Sequence, residues 1–135
     1  SGGNAMDAAI AAGVLLGICE PQMTGIGGDC FVLVKPAQSE EIFAMNGSGR
    51  APMGLDAADL RAKGQTQIGL ESVESITMPG AMDAFCSLSE QFGRKGIDAC
   101  LAPSIHYADA GVPVAPRTAF DGVAAGISYN HIRAR

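Results

Sequence analysis

Tryptophan is absent from this 135-residue chain, and the other aromatics are few, two tyrosines and five phenylalanines. Any sizeable core must therefore be built from Ala, Ile, Leu, Val and Met. Clustered cations are missing too: Lys63, Arg94 and Lys95 are scattered or merely adjacent, and the formal net charge is −5. A phosphate backbone is held by grouped Lys and Arg, so nucleic acid is excluded as a partner, as is a basic helix lying on a membrane surface. No CxxC pair occurs among Cys19, Cys30, Cys86 and Cys100, and His106 and His131 stand at no ligand spacing from them. That argues against a zinc site and for free thiols acting as small hydrophobes. The even number of cysteines leaves disulfides, and with them the compartment, open. The apolar stretch from Ala5 to Cys19 is shorter than the ~20 residues that cross a bilayer. It also carries Asp7 and lacks a basic flank, so it reads as a buried helix rather than a span or leader.

Hydrophobic residues make up 47% of the chain, and there are 18 glycines, which suits a buried globular segment with many tight turns. Asn4 is a good N-cap, with Asp7 at the positive end of the following helix. Met6, Ile10 and Val14 recur every four residues, and alanines fill the other faces, so this helix is expected to be packed on both sides. Pro21 ends it, and Met23 to Gly28 forms a glycine-rich turn. The unbroken run Cys30 to Val34 predicts a strand buried on both faces, and Glu41 to Met45 predicts its antiparallel partner. Asn46 to Pro52 has the composition of a loop.

Asp56 should cap a short helix ending near Lys63, with Gly64 as its C′ residue. Gln65 to Ser72 is irregular, and Val73 to Met78 is expected as a short strand. A helix follows from Ala81 to Phe92, closed by Gly93. Another should start near Pro103 and end at Gly111, and a last one should run from Arg117 to about Ala125. The order is that of an α+β chain, mostly helices plus one β-hairpin. A two-stranded hairpin is marginal by itself, so residues 1–135 are expected to form a single partial domain that needs strands from elsewhere. The end at Arg135, with no capping signal after it, fits that expectation.

Chemistry-bearing patterns are sparse. Neither GxSxG nor HExxH occurs. The turn Gly25-Ile26-Gly27-Gly28 invites a phosphate-loop reading, but the order here is helix, glycines, strand, the reverse of the dinucleotide fingerprint, and the third glycine is missing. A turn requiring close backbone packing is the better reading. Asp29, in a glycine-rich turn, is expected to bond its own backbone, and His106 is expected at or near the surface without a partner. Arg50 stands out as an isolated cation in a Gly-Ser-Gly loop after a strand. A guanidinium presented there suits bidentate recognition of a carboxylate.

Taken together, several segments resemble the γ-glutamyltransferase (glutathione hydrolase) family. Gly2-Gly3-Asn4-Ala5-Met6-Asp7-Ala8-Ala9-Ile10-Ala11-Ala12 resembles the family's GGNAvDAAvAa helix start. Glu20-Pro21-Gln22, Gly25-Ile26-Gly27-Gly28-Asp29 and Phe31-Val32-Leu33-Val34 are similar to its next signature, in order. Ser75-Ile76-Thr77-Met78-Pro79-Gly80 looks like its SVxVPG element, and Ala102-Pro103-Ser104-Ile105 with Ala108 to Val114 looks like its APAIxxAxxGxxV helix. The matches run from Ser1 to about Pro116.

The resemblance implies an N-terminal nucleophile hydrolase fold, an αββα sandwich, with this chain as the N-terminal region of the large subunit of a proenzyme. It implies a precursor that cuts itself, and a nucleophilic Thr at the new N-terminus of the small subunit, downstream of this chain. Thr24, Thr66, Thr77 and Thr118 do not begin the Thr-Thr-His-like run expected of that nucleophile. The implied partners are a small γ-glutamyl substrate and the small subunit, with no cofactor or metal. The family's substrate-holding Arg lies in a D-x-R-E-x-A-P loop, whose counterpart here is Asn46-Gly47-Ser48-Gly49-Arg50-Ala51-Pro52. Ser48 occupies the usual Arg position, and Arg50 lies two residues later, on the same face if the backbone is extended. Arg50 is thus the candidate for substrate binding. The shift leaves open a related acylase acting on another acyl group, or a non-catalytic homologue that binds.

Overall fold

The computed structural model describes residues 2–70 and 72–124. The chain divides into two compact units, one joining Ser1–Ile26 with Phe85–Arg135 and the other comprising Gly27–Ala84. The architecture is α+β and helix-rich, with a single two-stranded sheet among the described residues.

In the first unit, helix α1 (Ala5–Cys19) begins where its cap places it. The Asn4 side chain accepts the Asp7 N–H at 3.1 Å, and the Asp7 carboxylate accepts the Asn4 N–H at 2.8 Å, a reciprocal capping box. The helix buries Asp7, Ile10 and Val14, one stripe at helical spacing. Ala5, Ala8, Ala9 and Ala12 remain exposed, so the expected two-sided packing is not met among the described residues. Helix α1 packs against a later helix, Ile97–Ala110, which starts before Pro103 rather than at it. The cause is Gly96, whose φ of 78° turns the chain into the helix six residues earlier than the proline.

Pro103 therefore sits inside the helix, where the lost hydrogen bond costs about 3 kcal/mol. Both Pro103 and Ala99, whose carbonyl loses that partner, are exposed, while Cys100 and Ser104 are buried. Water can satisfy the freed carbonyl, and packing against α1 offsets the rest. The last described helix, Pro116–Ala124, takes its proline at the first position. The expected end at Ala125, and His131, lie outside the described residues.

In the second unit, β1 (Cys30–Val34) pairs antiparallel with β2 (Phe43–Gly47), matching Cys30 with Gly47 and Val34 with Phe43. β2 lies two residues later than its sequence suggested. Glu41 is still in the turn, its N–H bonded to Ser39 Oγ at 3.0 Å. Phe31 and Leu33 are 65% and 76% exposed, so β1 is open on one face among the described residues rather than buried on both. Helix α2 (Ala57–Ala62) is capped by Asp56 and followed by Gly64 at φ 80°. Val73 to Met78 is not a strand: a 3₁₀ turn spans Val73–Ser75, and the chain then runs to Gly80 without ladder pairing. The apolar and β-branched residues there have no strand to pair with among the described residues, and Ser72 caps the turn instead. Helix α3 (Ala81–Phe92) has the bounds expected, with Ala84 and Leu88 buried. No helix among the described residues is long and apolar enough to cross a membrane.

The first unit is tied together by Asp7. Its carboxylate accepts the Arg94 N–H at 3.0 Å and the Lys95 N–H at 3.2 Å in addition to that of Asn4, while Asn4 Nδ2 donates to the Phe92 carbonyl at 2.6 Å. These bonds, that of Asn4 first, hold the Asp7 carboxyl below its usual range against the opposing effect of burial. A carboxylate with a depressed folded value stabilises fully above the unfolded Asp value of about 3.9 and loses that contribution as pH falls through the lower folded value. Asp7→Asn should therefore lower the Tm at pH 7, and its deficit relative to wild type should shrink in melts below about pH 4. A deficit independent of pH would show that the charge contributes nothing.

Candidate functional site

The segment that carries Arg50 is shaped by its own short side chains. Asn46 Oδ1 accepts the Ser48 N–H at 3.0 Å, which bends the backbone as it leaves β2. The loop is then pinned along its length to the segment before α3. Thr77 Oγ1 donates to the Ser48 carbonyl at 3.2 Å, and the Met78 N–H donates to the Arg50 carbonyl at 2.9 Å. Gly49, at φ 74°, lies so close to the Met78 carbonyl that a Cβ would overlap it. A Cβ on Gly80 would likewise overlap the Gly47 carbonyl and lie 2.6 Å from the Gly49 nitrogen. Glycine is needed at these positions because two backbones touch.

The head of α3 is closed by the glycine-rich turn. The Gly28 carbonyl accepts both the Gly80 N–H at 3.1 Å and the Ala81 N–H at 3.0 Å. Two of the donors that a helix start exposes are thus already used, which gives the turn a structural role. Asp29 beside it is exposed and makes no hydrogen bond among the described residues, contrary to the self-bonded turn expected.

Between the Arg50 loop and the start of α3 lies a recess of about 530 Å³, lined by Arg50, Ser48, Met78, Gly80 and Asp83 among others. Arg50 is exposed, and its guanidinium has no hydrogen bond or ion pair among the described residues. Its backbone is held while its charge is free, an arrangement suited to receiving a carboxylate. Asp83 escaped the sequence reading because an acid in a first helical turn is ordinary there. The available signal was its place just after Pro79-Gly80, in a chain where Gly47 and Gly49 stand just before Arg50.

The other candidates do not converge on this recess. His106 is exposed and, among the described residues, meets the Tyr107 ring edge to face at 5.2 Å. Thr24 and Thr66 are exposed, Thr118 is buried in the last helix, and the Thr77 hydroxyl is engaged with Ser48. All four cysteines are free thiols. Burial pushes the Cys30 and Cys100 thiols up, with Asp29 and Asp7 adding to it respectively. They stay protonated near neutral pH and are poor nucleophiles. Among the described residues no three His, Cys, Asp or Glu side chains form a group able to hold a metal ion.

Comparison with known proteins adds to this geometry. The family model for gamma-glutamyltranspeptidase matches residues 1–126. The glutathione hydrolase-like YwrD proenzyme of Bacillus subtilis is 38% identical over 114 residues, covering 84% of this chain and 21% of that protein. The crystal structure of cephalosporin acylase from Bacillus halodurans superposes with a TM-score of 0.85 at 42% identity, over 97% of this chain and 24% of that one. The gamma-glutamyltranspeptidase of Helicobacter pylori gives a TM-score of 0.79 at 25% identity, over 92% of this chain and 36% of that one. The chain spans about a fifth of the length of the curated relatives it matches.

The backbone contact at Gly80 can be tested directly. Gly80→Ala should destabilise by about 1–3 kcal/mol, as overpacking does, with a lower urea midpoint. Gly54→Ala, where a Cβ meets nothing within 4 Å, serves as the control and should shift stability by no more than about 0.5 kcal/mol. Equal effects at the two positions would contradict the close approach.

Proposed function

This chain belongs to the gamma-glutamyltranspeptidase family, and from that premise we propose that it is the N-terminal part of the large subunit of a self-cleaving amide hydrolase. In this reading residues 1–135 form one partial domain, and the β1–β2 hairpin joins further strands in an αββα sandwich. The exposed Phe31 and Leu33 support that, since an apolar sheet face needs a covering layer. The reaction is acyl transfer. A Thr hydroxyl from the small subunit attacks the amide carbonyl of a γ-glutamyl donor, the amine departs with a proton, and an acyl-enzyme ester remains. Water, or the amine of an acceptor, then attacks the ester and frees the Thr. This chain contributes neither nucleophile nor cofactor to those steps; it holds the substrate.

The observation that carries the reading is Arg50, a guanidinium without a partner among the described residues, on a backbone pinned by Thr77 and Met78, at the edge of a recess large enough for a small acyl group. Its place in the substrate site is that of a clamp on the donor's free carboxylate. A second reading, a related acylase taking another carboxylated acyl group, is favoured by the 42% identity to the cephalosporin acylase and by Arg50 standing two residues past the family's usual position.

Both readings make Arg50 bind a carboxylate. In the full-length, processed protein, Arg50→Ala should raise KM for γ-glutamyl and glutaryl anilides by roughly tenfold or more, the loss of a charge-assisted hydrogen bond. Unchanged KM values for both would remove Arg50 from the site. The full-length precursor should also appear as two bands on a denaturing gel. A single uncut band, without amidase activity, would instead support a non-catalytic homologue.

A further inference from the structure

β2 ends on Asn46-Gly47, the single Asn-Gly step in the sequence. Such a step is chemically labile, because a glycine nitrogen has no side chain to shield it from the amide carbon before it. Replacing the glycine would remove the lability, but packing forbids it. A Cβ on Gly47 would lie 2.7 Å from the Ala84 Cβ and 2.9 Å from the Cys30 carbonyl oxygen. The fold therefore requires the reactive partner to stay. Asn46 itself is exposed, and its Oδ1 accepts the Ser48 N–H at 3.0 Å. An N–H on that oxygen draws density from Cγ and steadies the negative charge that builds there under attack. Among the described residues Asn46 Nδ2 makes no hydrogen bond that would hold it back as a leaving group.

We propose that Asn46 is a self-modification site, deamidating to aspartate within the folded protein with water as the only co-reactant. The Gly47 nitrogen gives up its proton to hydroxide and bonds to Asn46 Cγ. The Cγ–Nδ2 bond breaks, ammonia leaves with a proton from water, and a five-membered succinimide remains. Water then opens the ring at one of its two carbonyls. Breaking the bond from nitrogen to Cγ yields aspartate on an unaltered main chain. Breaking the bond to the main-chain carbonyl yields isoaspartate, with one extra methylene in the backbone.

The glycine contacts choose between these products. The Gly47 carbonyl lies so close to Gly80 that a Cβ there would overlap it. A backbone lengthened just before Gly47 would have to push into that contact, which has no slack. Aspartate needs no such movement, and its carboxylate takes over the Ser48 N–H as a charge-assisted bond. The product also adds an anion to a recess lining whose other acid is Asp83. None of this depends on what Arg50 binds.

The full-length, processed protein is aged at mildly alkaline pH, folded and, in parallel, unfolded in urea. Isoelectric focusing follows the acidic form, and peptide mapping separates aspartate from isoaspartate. The folded protein should gain an acidic band at a rate that rises with hydroxide, mapped to residue 46. Asn4, which precedes Ala5 and is held in its capping box, should stay intact. Asn46→Gln, whose ring would have six members and closes far more slowly, should lack the band. The isoaspartate-to-aspartate ratio should be roughly tenfold or more lower in the folded protein, the factor that overpacking a tight contact implies. Asn46→Asp should melt no lower than wild type. Asn46 left intact in the folded protein while the unfolded chain deamidates would overturn the proposal, as would an acidic band that persists in Asn46→Gln. Equal product ratios in the two states would overturn the selection by the glycine contacts.

Discussion

Backbone touching backbone is the constraint on which the Arg50 recess depends. Gly47, Gly49 and Gly80 allow the chain leaving β2 to lie against the segment entering α3, closer than any side chain would permit. That proximity brings the Met78 N–H onto the Arg50 carbonyl and the Thr77 hydroxyl onto the Ser48 carbonyl. Arg50 is consequently held at its Cα while its guanidinium has no partner among the described residues. Holding a binding group on a fixed frame reduces what its ordering costs when a ligand arrives. The Gly28 carbonyl completes the frame by occupying two N–H groups at the start of α3.

The first unit is organised around a different kind of contact with the same economy of side chains. Asp7 gathers the N–H groups of Asn4, Arg94 and Lys95 on one carboxylate, so the start of α1 and the bend after α3 share a single anchor. The carboxylate is buried, and burial is tolerable because its oxygens are bonded. In a chain without tryptophan, with alanine and glycine abundant, main-chain hydrogen bonds take over positioning that aromatic packing provides elsewhere.

How much of this was legible in the sequence follows from how local each signal is. The start of α1, the cap of α2 and the bounds of α3 were readable because Asn4, Asp56 and Gly80-Ala81 act within one turn of themselves. β1 occupies the residues that its apolar run marks, while β2 lies two residues later than its composition indicates because its register is set by pairing with β1 and by the Ser39 turn. Val73 to Met78 had the composition of a strand and no strand beside it. Pro103 pointed to a helix start, but Gly96 and packing against α1 decided the matter. At the site, the loop composition and lone charge of Arg50 were visible from the sequence. Asp83 was not, because its nearness to Arg50 comes from the glycine contacts and from no spacing within its own helix.

The proposed capture of a carboxylate by Arg50 is best judged by looking at one. The decisive measurement is a crystal structure of the complete, processed protein with L-glutamate bound. The α-carboxylate oxygens should lie within about 2.7–3.2 Å of the Arg50 guanidinium nitrogens. A glutamate seated in the substrate site with its carboxylate bound elsewhere, and Arg50 left in solvent, would contradict the role given to this loop.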